Sequence, residues 1–357
     1  MGREMHPGPG ANRWGIYDNH RPMHVWSTSC PRRTSRRVSE EENKIVKKLV
    51  VESNLQGIHM EFPYPVGKPR NQLRPIKVTS YLGSKQNRNI QIKYDNILST
   101  ELLVNSNKKL HAINLRVGEG KPPDNSNPGL HISGKVDELV ATEWRNIIKS
   151  RTVDKNASGT SVIQSGIYLD LQVGAMELLH HQFPDVALSI RRPDKYWNFE
   201  LDSEDIAGNI KIPLDRNADN LISFQLDKLE MNKEQQKSGG KKSKKLDPKN
   251  IPAIEGRVSE FIFNNFELGE MSLQTAPMDN GLSIEKITFE KPDLMISGSG
   301  DWIGAEANDH SNFDIELHAN KMEAMLTTFG YNQTPVKKGE TKLQLNAGWT
   351  GDRKSVV

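Results

Sequence analysis

Cysteine is almost missing from this chain: Cys30 stands alone in 357 residues. An internal disulfide framework and a cysteine-built zinc site are therefore excluded, while the compartment is left open. Apolar residues are also scarce, at 35% with only 6% aromatic, and the mean hydropathy is −0.65. Such a chain is poorly supplied for a thick, two-sided core, and a sheet with one wet face suits it better. No run of about 18 apolar residues occurs, so no stretch qualifies as a membrane-spanning helix. The first residues, Met1 to Pro31, mix Gly, Pro, Arg, His and Trp and hold no apolar signal core.

The motifs of catalysis are missing as well. The chain has no phosphate-binding glycine loop opening a helix, no nucleophile elbow and no histidine pair with metal spacing. His180-His181 invites a metal reading, but adjacent strand positions face opposite sides and no third ligand is spaced nearby. Gly298-Ser299-Gly300-Asp301 lies between a strand and Trp302 and reads as a bulge or turn. No catalytic residue, metal site or cofactor is expected, and the chain is read as a non-enzyme. The net charge of +3 is small for this length and gives no argument for nucleic acid.

What the chain does have is alternation. Apolar and polar residues exchange at every step through Met271 to Gln274, Leu282 to Ile284, Ile287 to Glu290 and Leu294 to Ser297. This is the period of a half-buried strand. Pro277 to Gly281 and Lys291-Pro292-Asp293 supply turns between the runs. The pattern slips phase at Glu285-Lys286 and is ambiguous over Leu294 to Ile296. One helix interrupts the meander: Met322, Met325, Leu326 and Phe329 share a face, Asn320 with Glu323 fits a capping box, and Gly330 suits a left-handed stop. It is expected to lie across the sheet as a lid or plug.

Earlier in the chain, residues 1–42 show neither period and read as an irregular lead. Arg32, Arg33, Arg36 and Arg37 there are read as solvated, with phosphate contact as the alternative. Leu49 and Val51 followed by Ile58, Met60 and Phe62 read as strands, the latter ended by Pro63 and Pro65. Further strands are expected at Ile76 to Tyr81, Ile90 to Tyr94, Leu110 to Val117 and Leu130 to Val136. A short helix is placed over Leu139 to Lys149, with Trp144, Ile147 and Ile148 on its apolar stripe. The sheet resumes through Ile167 to Val173, Val186 to Ile190, Trp197 to Leu201, Ile210 to Leu214 and Phe224 to Met231. Lys233 to Lys249 is a basic, apolar-poor loop; it reads as solvated, or as resting on anionic headgroups. Ile251 to Phe263 re-enters the sheet.

Several of these pieces resemble a known family. Gln56-Gly57-Ile58, Pro65-Val66-Gly67-Lys68, Gly269 with Leu273, Gly281-Leu282, Gly300-Asp301-Trp302, Phe329-Gly330-Tyr331 and Gly339-Glu340-Thr341 leading to Trp349 look like the C-terminal part of the YhdP-type AsmA-like proteins. The resemblance runs from about residue 43 to Thr350. It implies a mostly β fold: a long curved antiparallel sheet forming a groove, with two short helices. It further implies a segment of a very long, TamB-like periplasmic protein of a Gram-negative bacterium, anchored to the inner membrane by parts lying outside this fragment, which carries phospholipid toward the outer membrane. Lys68 sits in one of the matching motifs and reads either as a loop lysine or as something more. Gly351 to Val357 is what a common sequencing adapter encodes in frame, and this tail receives no fold or function.

Alternation then nominates the groove lining: Ile210, Ile212, Phe224, Leu226, Leu273, Ile284, Phe289 and Ile296. Phospholipid is the expected partner, protein partners are not identified, and nucleic acid is not expected. The same alternation would serve a structural β-scaffold or adhesin-like protein with its apolar face closed and no transport role.

Overall fold

The computed structural model describes residues 13–18, 21–23, 47–82, 88–145, 162, 165–178, 181–192, 195–214, 221–232, 248–304, 310–331 and 338–350. The fold is mostly β. It divides into two compact units, Met1–Gln172 and Val173–Val357, where the sequence reading carries one segment from 43 to 350.

The first unit holds β1 (Arg13–Asp18), β2 (Arg21–Met23), β3 (Lys47–Ser53), β4 (Ile76–Leu82), β5 (Arg88–Tyr94), β6 (Leu98–Val104), β7 (Leu110–Val117) and β8 (Gly129–Val140). β1 pairs with β2 and β3, so the lead expected to be irregular contributes two short strands. The rest of the lead lies outside the described residues. From β3 to β7 each strand is antiparallel to the next. β8 then runs parallel to β7. Sequence periodicity cannot distinguish the two directions, because side chains alternate identically in both.

Register shows why the strands form. Leu49, Ser80, Ile90, Leu102, Ile113 and Leu130 stand opposite one another in turn, and beside them Val51, Val78, Ile92, Thr100, Leu115 and Ile132. The intervening row is Val50, Thr79, Gln91, Glu101, Asn114 and His131, polar except at Val50. One face is thus apolar and the other mostly polar, with Val50, Leu103 and Ala112 as its apolar members. β6 has no counterpart in the sequence reading, although Leu98, Leu102 and Val104 carry the same signal.

On the polar face, the crossover between the parallel β7 and β8 is pinned down. Asn114 Nδ2 donates to the Asn125 carbonyl at 2.8 Å, and His131 Nε2 meets the Asn127 carbonyl at 3.1 Å. The Asn127 amide donates to Asn125 Oδ1, which leaves Asn125 Nδ2 to meet His131 Nδ1 at 3.1 Å. The His131 ring stacks on Tyr168 with centroids 4.9 Å apart.

Residues 54–75 depart from expectation. Ile58 to Phe62 is no strand; Met60 makes an isolated bridge to Lys68 and Ile58 is 48% exposed. The competing force is Lys68, which is buried at 2% exposure. Its Nζ donates to the carbonyls of Ile58 (2.7 Å), Leu55 (2.8 Å) and Pro69 (3.2 Å). Three donors meet three acceptors, so the ammonium is satisfied without a carboxylate, and those carbonyls are turned away from any ladder. Tyr94, in the apolar face, donates to the Val66 carbonyl at 3.1 Å, and Arg74 donates to the Pro65 carbonyl at 2.7 Å. This loop therefore covers the Tyr94 end of the first unit's apolar face. Tyr64 reaches Asp137 at 3.1 Å, and that carboxylate holds the phenol above its usual range.

Residues 141–145 are helical after β8 ends at Val140, so Leu139 and Val140 belong to the strand. The remainder of that expected helix, with the loop Asp154 to Thr160, lies outside the described residues, as do residues 233–247 of the basic loop and 351–357. The boundary between the units falls within β9 (Ile167–Leu178).

The second unit continues with β10 (His181–Arg192), β11 (Tyr196–Asp202), β12 (Ile206–Pro213), β13 (Ile222–Met231), β14 (Ile254–Phe263), β15 (Phe266–Met278), β16 (Gly281–Lys291), β17 (Leu294–Ile303), β18 (His310–Ala319) and β19 (Thr341–Thr350). β10 to β13 and β14 to β19 are antiparallel meanders. They join through a parallel β13–β14 pair, whose connection contains the basic loop and the 3-10 turn Pro248–Asn250.

The helix Met322–Thr328 does not form the expected capping box. Lys321 is its N-cap and makes no side-chain cap bond. The salt bridge from Lys321 Nζ to Asp293 Oδ2, 2.8 Å long, ties the helix start to the β16–β17 turn instead. The stop is as expected: Gly330 has φ of 86°, its amide reaches the Thr327 carbonyl at 3.0 Å, and the Tyr331 amide reaches Leu326 at 2.8 Å. The helix packs against β15 and β18, and Phe329 meets Phe266 at 6.1 Å between centroids. It lies along strand ends at one rim of the sheet, with Phe329 37% exposed, rather than across the face.

Candidate functional site

Cross-strand partners point to the same side of a sheet, so the registers of the second unit determine what its faces display. A central row runs Ile190, Phe199, Ile210, Phe224, Gly256, Leu273, Ile287, Gly298, Ile315 and Leu345. Two residues along the strands, a second row runs Leu188, Leu201, Gly208, Leu226, Val258, Met271, Phe289, Ile296, Leu317 and Leu343. On the other side of the central row stand Trp197 with Ile212, then Ile222, Ile254, Thr275, Ile284, Gly300, Phe313 and Ala347. None of these residues is charged.

The opposite face reads Ser189, Glu200, Asn209, Gln225, Arg257, Ser272, Thr288, Ser297, Glu316 and Gln344 along one row. Every member is polar. At a rise of about 3.4 Å per residue and strands about 4.8 Å apart, the three apolar rows make a band roughly 14 Å across between outer rows and on the order of 40 Å long, following the sheet.

All eight nominated residues fall in these rows: Ile210, Phe224 and Leu273 in the central one, Leu226, Phe289 and Ile296 in the second, and Ile212 and Ile284 in the third. The slip read at Glu285-Lys286 is a real bulge. Ile284 pairs with Gly300 but Ile287 pairs with Gly298, so β16 carries an extra residue there and its apolar side chains stay on one face. Gly298 and Gly300 lie within β17 beside this bulge, so the reading as a turn is replaced by a strand position. Space requires the second of these glycines: a Cβ on Gly300 would stand 2.1 Å from the Asn312 carbonyl oxygen and 3.0 Å from the Phe313 ring.

Burial separates the eight. Leu226 is 4% exposed, whereas Ile210, Ile212, Phe224, Leu273, Ile284, Phe289 and Ile296 are half-buried. Leu343 and Leu345, at the β19 side, are 51% and 58% exposed. Phe289 stacks on Phe261 with centroids 5.4 Å apart. The sequence reading omitted Phe313, Ile315, Leu317, Leu343 and Leu345, although alternation through β18 and β19 carries them. It also omitted Arg192. That guanidinium sits 5.4 Å from the Trp197 ring centroid, and burial holds it below its usual range.

No group of three or more possible metal ligands occurs among the described residues. His181 is buried against Phe183, and His180 lies outside the described residues.

An open sheet that is apolar on one face and wet on the other defines the class of β-fold to which the second unit belongs. Within that class the assignment is specific: the family model described as YhdP protein matches residues 35–356, and the chain belongs to that family. The match begins ahead of residue 43 and runs past Thr350, beyond both limits read from motifs. No curated protein and no solved structure matches the chain.

Proposed function

We propose that this chain is a segment of a bridge-like protein that conducts phospholipid between the inner and outer membranes of a Gram-negative envelope. Acyl chains lie along the three apolar rows, and headgroups stay in water at the rim. The parent protein works in the periplasm. No residue acts as acid, base or nucleophile.

The physical need is large. At about 0.8 kcal/mol per methylene, exposing about thirty methylenes costs on the order of 20 kcal/mol. An apolar band continuous from strand to strand removes most of that barrier. The observation carrying the reading is that continuity, in a member of the YhdP family. Against a closed scaffold stands the half-exposure of seven of the eight nominated residues. Side chains sealed by a second layer would be buried, as Leu226 is together with Leu188, Leu201, Val258 and Met271 of its row, whereas those of the central row and Ile284 are not.

Photocrosslinking in cells tests it. A photoreactive residue at Leu273 or Ile284 of the full-length parent should capture phospholipid, and one at Gln274 should not. Equal labelling at both positions, or none at Leu273 and Ile284 in an active parent, leaves the structural scaffold.

A further inference from the structure

His131 is held at both ring nitrogens by one short turn. Its Nε2 meets the Asn127 carbonyl, which only accepts, so the proton of the neutral ring sits there. Its Nδ1 meets Asn125 Nδ2, which only donates, so Nδ1 presents its lone pair. The Asn127 amide, donating to Asn125 Oδ1 at 2.9 Å, fixes which way that side chain faces. One tautomer of the neutral ring satisfies the whole set.

A proton added at Nδ1 sets two donors against each other. Either the Asn125 contact opens, or the Asn125 side chain turns and gives up the Asn127 amide, and the turn is broken in both cases. The ring has another acceptor beside it. Asn114 stands across from His131 in the β7–β8 register, is 1% exposed, and its Oδ1 has no hydrogen-bond partner among the described residues. A buried acceptor left over at that place suits a protonated Nδ1 and serves nothing in the neutral state. The charged and titratable groups on the elements packed against His131 are Glu101 on β6, His111 and Arg116 on β7, Lys135 and Asp137 on β8, Tyr168 and Asp170 on β9, and Glu119, Lys121 and Asp124 in the crossover. Both signs are represented, so the hydrogen-bond pattern decides.

We propose that His131 is a pH-operated latch: neutral, it closes residues 121–128 over the wet face of the first unit, and protonated, it turns to Asn114 and releases them. The start of the crossover stays in place, because Arg116 Nε donates to the Glu119 carbonyl at 3.3 Å and Ser99 Oγ to the Gly120 carbonyl at 3.0 Å. His111 does not share the role. Its Nε2 donates to the Ser126 carbonyl at 3.1 Å, a bond that either charge state keeps. Gly129 follows the latch directly and opens β8, so release loosens Leu130 and Ile132, which continue the apolar rows on the opposite face. Acidity is thereby coupled to the apolar surface, whatever that surface carries.

Hydrogen exchange on the full chain tests it, read at the amides of Lys121 and of Asp124 to Asn127 at about pH 7.5 and about pH 5 and corrected for intrinsic rates. Wild type should lose protection there by about tenfold on acidification, the equivalent of one hydrogen bond, while β4 to β6 keep theirs. H131Q, whose side chain both accepts and donates and takes up no proton, should keep the turn closed at both values. N125D should cancel or reverse the response, because a carboxylate facing Nδ1 favours the protonated ring. H111Q should behave as wild type. No acid response in wild type, or one that survives in either H131Q or N125D, overturns the latch, and so does its loss in H111Q. If H131Q does not fold, N125D alone decides.

Discussion

Phe224 of β13 lays its ring over Gly256 of the parallel neighbour β14, so that a Cβ added at Gly256 would stand 2.4 Å from the ring. The pair sits in the central apolar row where the two meanders join. The glycine leaves a gap in the row and the phenylalanine fills it, which keeps the surface continuous across the parallel β13–β14 pair.

Gly256→Ala should therefore destabilise the second unit by about 1–3 kcal/mol, the usual cost of overpacking. Adding Phe224→Ala should recover part of that loss, since the methyl then occupies vacated space. Urea denaturation of the two single variants and the double variant measures the coupling; additive losses would contradict the contact.

Lys68→Met should loosen residues 54–75. It strips a bonding partner from the carbonyls of Leu55, Ile58 and Pro69, at a cost on the order of 3 kcal/mol. Limited proteolysis should cut this loop sooner in the variant than in wild type, with β14 to β19 remaining protected. Unchanged cleavage would show that Tyr94 and Arg74 hold the loop by themselves.

These two sites divide what the sequence made legible from what it did not. Alternation identified the lining because a period of two is imposed by the pleat wherever one face is dry, and even the Glu285-Lys286 slip was visible as a break in phase. Strand direction was not legible at β7–β8 or β13–β14, because it depends on where the connection returns the chain. Nor was the fate of Ile58 to Phe62: its alternation is real, yet Pro63, Pro65 and the Lys68 ammonium draw its backbone into a loop. The Asn320–Glu323 capping box failed for a similar reason, since Lys321 is held by Asp293 and becomes the cap position. Arg192 was not singled out because the Arg191-Arg192 pair after Ile190 resembles any strand end until the Trp197 ring is seen beside it.

Acid should loosen the β19 edge. Lys342, bonded to Glu316 across the β18–β19 pair, holds the Glu316 carboxyl below its usual value of 4.5. A carboxyl whose folded value is lowered contributes stability above its unfolded value, and that contribution is lost as pH falls through the folded one. Both side chains are well exposed, so the effect is local and screened by salt. Amide exchange in β19, corrected for intrinsic pH dependence, should lose protection relative to β16 between neutral pH and roughly pH 3. Glu316→Gln should remove that difference; its persistence in the variant would assign the change to other groups.

A charge placed in the apolar rows should obstruct lipid while one removed from the wet face should not. Ile284 stands between Thr275 and Gly300 and is half-buried, so Ile284→Asp sets a carboxylate on the band without deleting a buried core residue. Glu290 pairs with Glu270 and Met295 on the opposite face. Burying an unpaired carboxylate beside an acyl chain costs several kcal/mol even where some water enters. The Ile284→Asp parent should therefore lose most phospholipid movement between the membranes while keeping wild-type abundance, and Glu290→Ala should retain it. Because Ile284→Asp can also weaken the fold, Ile284→Asn serves as the partner variant. If both substitutions reduce abundance alike, the residue is part of a closed core; if abundance holds and Asp impairs movement far more than Asn does, the charge itself blocks the path.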